Sequence, residues 1–210
     1  MKALSLTGIA APILFLVVIL AAGSSTPDYD HLNQFISELG ASGARTATLM
    51  NYAGFIPTGV MLAIFGLVVV RRLSNDKPGY VAGACLTLFG LGVFLAGLFS
   101  CDAGCPQSGG TLSNTIHDRV SPLAFVAAIV GIGLFSFRFR RTPGWERMWI
   151  YSLATSLLAA AFFVGLVTSL ESRSYTGLWQ RLMLLTLFGW CASTSVRLYR
   201  MPGDGVQSAP

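Results

Sequence analysis

The sequence predicts an all-α, polytopic membrane protein with six transmembrane helices and two long extracytoplasmic loops. Three observations carry this reading. Hydrophobic residues make up 53% of the chain and charged residues only 11%, against about 25% charged in ordinary soluble domains. The mean hydropathy is +0.65, so water cannot be the main solvent. The apolar residues also gather into six runs, each near the roughly 20 residues a helix needs to cross about 30 Å of hydrocarbon. Barrel strands would be about ten residues long and alternate in polarity, which these runs do not. With 210 residues in all, the spans leave no room for a second folded unit, and one membrane domain over 1–200 is expected.

In order, the runs cover about 4–23, 49–70, 80–99, 122–139, 148–168 and 178–196. None holds an Asp, Glu or Lys, and Arg138 and Arg181 fall near helix ends, where a long side chain can snorkel. The first run, with Lys2 before it and Ala21-Ala22-Gly23 after it, also resembles a cleavable signal peptide. Its apolar core exceeds the usual 7 to 15 residues of a signal, which favours a retained helix. Asn51 and Pro57 in the second run predict a polar contact with a kink below it. Small residues at Gly79, Gly83, Gly90, Gly92, Ala96 and Gly97 allow a neighbour to approach the third closely. Mildly polar stripes mark the fifth (Ser152, Thr155, Ser156) and the sixth (Thr186, Ser193, Thr194), and helix contact explains them without a permeation path. Residues 201–210 read as a disordered cytoplasmic tail.

Orientation follows from the basic residues. With the N-terminus inside, ten of the 14 Lys and Arg fall on the cytoplasmic side, leaving Arg45, Arg119, Arg173 and Arg181 outside. Six of the nine acidic residues lie outside. These clusters set topology, and nucleic-acid binding is discarded. The expected location is the inner (cytoplasmic) membrane, with both termini cytoplasmic.

Unusual chemistry must then sit in the outer loops, about 24–48 and 100–121. In the first, a helical turn over 33–39 would let Phe35, Ile36 and Leu39 dip into the interface while Gln34 and Glu38 share the other side. Asp30, His31, Glu38 and Arg45 form a candidate polar cluster, although a solvated loop with weak ion pairs is the plainer reading. The second loop carries Cys101-Asp102-Ala103-Gly104-Cys105-Pro106, and an oxidising compartment favours a structural Cys101–Cys105 disulfide. A metal site would need more ligands, and redox catalysis a Cys-x-x-Cys spacing. His117 and Asp118, with Arg119 beside them, precede the expected fourth helix. Their adjacent side chains diverge on a helix, so a catalytic His117 would need Glu38, Asp102 or His31 as partner. Asp118 can equally sit near the start of that helix, with Pro122 in its first turn.

Taken together, Ile36-Ser37-Glu38-Leu39-Gly40-Ala41 after a first helix, the Cys101 to Pro106 loop after a third and His117-Asp118 before a fourth resemble a prokaryotic six-helix membrane family. It is identified as the domain of unknown function nine-nine-eight, and the resemblance covers nearly the whole chain. The Ile-Ser-Glu-Leu-Gly stretch is also similar to the Ile-Ser-Asp-x-Gly segment of the Frag1/DRAM/Sfk1 group, whose links to membrane lipid organisation imply lipid handling. Glu38 stands where that group has Asp.

Three functions follow as expectations. The first is a protein that binds a membrane lipid or amphiphile, with His31, Arg45 and Arg119 as ligand-binding residues around Glu38, Asp102 and His117. The second is a membrane-embedded hydrolase or acyltransferase with His117, Asp118, Glu38 and Asp102 as catalytic groups, and Ser37 as nucleophile. With two His in the chain, any metal would need carboxylate or Cys ligands as well, so metal binding is left open. The third is a noncatalytic scaffold or subunit for a protein partner. No cofactor is implied.

Overall fold

The computed structural model describes residues 2–201. The expected tail therefore lies, Met201 apart, outside the described residues. Six helices are long and apolar enough to cross a membrane: α1 (Lys2–Ser24), α2 (Leu49–Leu73), α3 (Lys77–Leu98), α4 (Leu112–Phe139), α5 (Met148–Thr168) and α6 (Thr176–Arg200). No strand occurs among the described residues. The chain is a multi-pass membrane protein.

Consecutive helices are neighbours, and α6 returns against α1 to close a ring. Aromatic rings fill the middle: Phe15 of α1 lies 5.2 Å from Phe55 of α2 and 5.8 Å from Phe188 of α6, between ring centroids. The α2–α3 pair is the tightest. A Cβ at Gly90 would stand 2.2 Å from the Ala63 backbone nitrogen, and one at Gly59 would stand 2.2 Å from that of Phe94. Only glycine permits this approach, which replaces side-chain volume by backbone contact. By contrast α5 packs chiefly on α4 and α6, and buries only Ser152, Thr155, Ala159 and Leu166.

The helix ends refine the expected spans. Between α1 and α2 the chain makes a short 3-10 helix, Ile36–Gly40. The first turns of α2, Leu49–Phe55, are π-helical and precede Pro57. Proline cannot donate to the preceding turn, and the wider winding directs Asn51 inward. Its Nδ2 donates to the Gly40 carbonyl at 2.8 Å.

The start of α4 departs from expectation. It begins at Leu112, where Thr111 Oγ1 accepts from Asn114 N at 3.2 Å as an N-cap, and Pro122 falls inside the helix. The polar stretch 113–119 is therefore helical, the second loop is correspondingly shorter, and His117-Asp118 sits within α4. Asp118 is not at the helix start, where the cap is Thr111.

At the end opposite the three connections 25–48, 99–111 and 169–175, Arg138 closes the bundle. Its Nε donates to the Leu73 carbonyl at 2.6 Å and its Nη1 meets Asp76 at 2.5 Å.

Candidate functional site

The three connections at the loop end interlock. Within the first, Glu38 Oε1 accepts from Phe35 N at 3.0 Å and Oε2 from Gln34 Nε2 at 3.0 Å, which closes the 3-10 turn on itself. Phe35, Ile36 and Leu39 are buried. Ile36 N donates to Gln180 Oε1 of α6 at 2.8 Å, and Thr46 Oγ1 donates to the Leu39 carbonyl at 2.8 Å. A Cβ on Gly40 would stand 2.4 Å from Asn51 Oδ1, so the glycine lets the loop seat on α2.

The segment before it is fastened to α6. Arg181 donates to the Gln34 carbonyl at 3.0 Å and to Tyr29 Oη at 2.7 Å, and its Nη2 lies 3.4 Å from His31 Nδ1. Burial pushes the Tyr29 phenol above its ordinary value, with Arg181 pulling the other way. Hydrogen bonds from the Asn33 side chain and Leu32 N hold the exposed Asp30 carboxyl below its own.

In the second connection Cys101 and Cys105 are disulfide-bonded, with an S–S distance of 2.01 Å and Cα atoms 5.0 Å apart. The tight bend puts Gly104 and Cys105 in the left-handed region, at φ +76° and +45°. Asp102 accepts from Thr111 N at 2.7 Å and from Thr111 Oγ1 at 2.8 Å, tying the loop to the α4 cap. Asn114 fixes its other side, accepting from Asp102 N and donating to the Pro106 and Gly109 carbonyls. The first two loops meet where Ser42 N donates to the Cys101 carbonyl at 2.8 Å and where Ser37 Oγ lies 3.4 Å from Cys105 Sγ.

Arg173, in the third connection, joins all three. Its Nη2 donates to the Gly104 and Cys105 carbonyls at 3.1 and 2.9 Å, its Nη1 lies 3.8 Å from Glu38 Oε1, and its guanidinium covers the Phe35 ring at 4.9 Å. The cation that meets Glu38 is thus Arg173, whereas Arg45 and Arg119 are exposed.

Beneath this cover lies a cavity of about 300 Å³. Its floor and back are apolar, from Phe15, Phe55, Val93, Leu184 and Phe188. Polar groups gather at the loop end: Ser37, Gln107, Asn114, His117, Asp118, Ser121 and Gln180. Lining residues of α1 to α3 are buried, such as Phe15 at 2% exposed. Those of α4 and α5 are partly open: Asp118, Ser121, Pro122 and Phe163 are half-buried, and Val167 is 47% exposed. The two helices touch lower down, where Ser156 Oγ donates to the Ile129 carbonyl at 3.0 Å. The mouth of the cavity therefore lies between α4 and α5.

His117 is buried at 7% exposed and presents its ring to the cavity. Its Nδ1 faces two carbonyls, Phe99 at 2.8 Å and Ala96 at 3.2 Å. Carbonyls only accept, so in the neutral ring the proton sits on Nδ1 and the Nε2 lone pair stays available.

Of the residues singled out from sequence, His117, Asp118, Cys101 and Cys105 line the cavity. Glu38 and Asp102 stand behind the wall and hold its loops. His31 packs on Tyr29 and Arg181, and Arg45 and Arg119 are surface residues. Among the described residues no group of three or more His, Cys, Asp or Glu could hold a metal ion. Sequence reasoning missed Arg173, Gln180, Asn114 and Ser121 as site residues, because each acts through a partner distant in sequence or through a helical face that read as loop.

No curated protein and no solved structure matches the chain. Residues 9–197, however, match the family described as protein of unknown function (DUF998), so the chain belongs to that family.

Proposed function

We propose that the protein binds a single membrane amphiphile in the cavity, its tail against the aromatic floor and its headgroup at the His117 end. The observation that supports this best is the division of the lining: apolar toward the bundle interior, polar under the loops, with a mouth between two helices that face lipid. Sites for small molecules characteristically combine an apolar wall with a few placed polar groups, and volumes from about 300 Å³ upward hold them. A lateral mouth suits a ligand that never leaves the bilayer. The ten-to-four distribution of basic residues supports a loop end outside the cytoplasmic membrane, so the ligand would come from the outer leaflet.

Extraction into lipid nanodiscs followed by native mass spectrometry tests the reading. One bound amphiphile per protein is expected, and Leu170→Trp, which fills the mouth from the connection just after α5, should remove it while leaving the fold intact. A protein that carries no adduct, or an adduct indifferent to Leu170→Trp, would overturn it. Reporter fusions at Gly109 and Arg141 test the orientation, with Gly109 expected outside and Arg141 inside.

A further inference from the structure

The polar end of the cavity is selective in what it leaves unpaired. Asn114 has its side-chain groups engaged within the second loop, and Gln180 Oε1 accepts from Ile36 N. Ser37 Oγ lies against the disulfide. Gln107 Nε2 donates to the Cys105 carbonyl. Beside the Asp118 carboxylate, two groups stand together on one face of α4, at i and i+4. His117 Nε2 is a lone-pair acceptor on a ring pinned through Nδ1. Ser121 Oγ is a buried hydroxyl with no hydrogen-bond partner, although a serine within a helix ordinarily bonds the carbonyl four residues back. Leaving the Ser121 hydroxyl unpaired costs its desolvation, about 1 to 3 kcal/mol. A ligand that accepts from Ser121 recovers it, and one that also donates to His117 Nε2 gains a second hydrogen bond.

Charge narrows the choice further. The lining contains no Lys or Arg, and its one carboxylate is Asp118. A phosphate or carboxylate headgroup would meet a like charge and no cation, and would have no hydrogen to give His117 Nε2. A primary ammonium could give that hydrogen and would be drawn to Asp118, yet it has no lone pair for the Ser121 hydroxyl. An ether or ester oxygen could accept from Ser121 but could not donate. A hydroxyl does both, because its oxygen carries one hydrogen and two lone pairs.

We propose that the cavity takes an uncharged amphiphile headed by a hydroxyl, which donates to His117 Nε2 and accepts from Ser121 Oγ. This assignment rests on the amphiphile-binding reading and names the chemical class within it.

The test uses the full chain in phosphatidylcholine vesicles and four photoreactive probes with the same alkyl tail, ending in a hydroxyl, a methyl ether, a primary ammonium or a sulfonate. Labelling of peptides from α4 and α5 is read by mass spectrometry and normalised to each probe's partition into the vesicles. The hydroxyl probe should label at least fivefold more than each of the others, the worth of about one net hydrogen bond. His117→Phe should bring the hydroxyl probe down to the ether level, and Ser121→Ala should lower it about fivefold. The headgroup series on the unaltered protein stands even if either variant fails to fold. Equal labelling by all four heads, or preference for ether, ammonium or sulfonate, overturns the hydroxyl assignment and leaves amphiphile binding in place. Absence of cavity labelling by every probe overturns both.

Discussion

The α2–α3 and α4–α5 interfaces are made by neighbouring pairs of apolar helices, yet one is closed along its length and the other only at one end. Along α2–α3, glycines recur at each close approach: Gly59 on Phe94, Gly66 on Thr87, Gly83 on Val70 and Gly90 on Ala63. Along α4–α5 the glycine contact is looser, a Cβ on Gly133 standing 3.0 Å from the Ser156 hydroxyl, and it occurs away from the loop end. Toward the loops the opposing residues become Pro122 and Phe125 against Phe163, Val167 and, just past α5, Leu170, which are bulky and hold the backbones apart. Lipid tails are as apolar as leucine, so no hydrophobic force closes such a gap in a bilayer, and contact depends on shape. The difference between the pairs shows that a cavity in this protein arises where small-residue packing is withheld.

The comparison breaks most severely at the tight pair. Gly90→Leu should cost more than about 3 kcal/mol, because its side chain would displace the Ala63 backbone. Thermal unfolding in detergent should show loss of the cooperative transition or of folded protein altogether, whereas Leu170→Trp at the open pair should leave the transition near its original position.

The cover over the open pair should respond next. Arg173→Gln removes a charged donor from the Gly104 and Cys105 carbonyls and the cation beside Glu38, a loss of about 2 to 4 kcal/mol. Hydrogen exchange should rise together in all three connections while α2 and α3 stay protected. Arg173→Lys should not rescue it, since an ammonium cannot reproduce the planar fork over Phe35. Exchange confined to 169–175 would show that the loops are not coupled through Arg173.

A somewhat smaller effect is expected from the disulfide. Closing so short a loop contributes about 2 kcal/mol in the chain-entropy account. Cys105→Ser should therefore lower the melting temperature modestly and increase cleavage of 101–110 by added protease, with the helices unaffected.

The smallest effect is a pH response confined to the first loop. Asp30 is held below its ordinary value of 3.8, so its contribution is present above that pH and is lost as pH falls through the lower, folded value. Amide exchange at 32–34, corrected for intrinsic rate, should rise only below about pH 4, and Asp30→Asn should remove that dependence.

Much of the fold was legible because length and hydropathy alone define a span, and all six appear where the apolar runs lie. Ends were less legible. Ser113 to Arg119 is polar enough to read as loop, and its helical state depends on the Thr111 cap and on contacts that Asn114 and His117 make with residues 12 to 21 positions earlier. The Ile36 to Gly40 turn could be anticipated from its own apolar and acidic spacing. Arg173 could not, since its partners at Glu38 and Cys105 are remote in sequence and nothing local distinguishes it from any loop arginine. Ser121 was hidden for a further reason: what marks it is a hydrogen bond it does not make.

The π-helical turn at Leu49–Phe55 gives the first loop and the second span a kind of mechanical clutch. A π-helix winds about 4.4 residues per turn where an α-helix winds 3.6, so the segment behaves as an α-helix with one residue to spare. Deleting one residue there would let the helix rewind without shortening the crossing by more than about 1.5 Å. The crossing would survive and the residues before the deletion would keep nearly their original facing, but the wide turn that directs Asn51 to Gly40 would be gone. A lineage could thus keep all six crossings through such a deletion while releasing the loop that roofs the cavity, which makes this turn the place where insertion into the bilayer and assembly of the site can come apart.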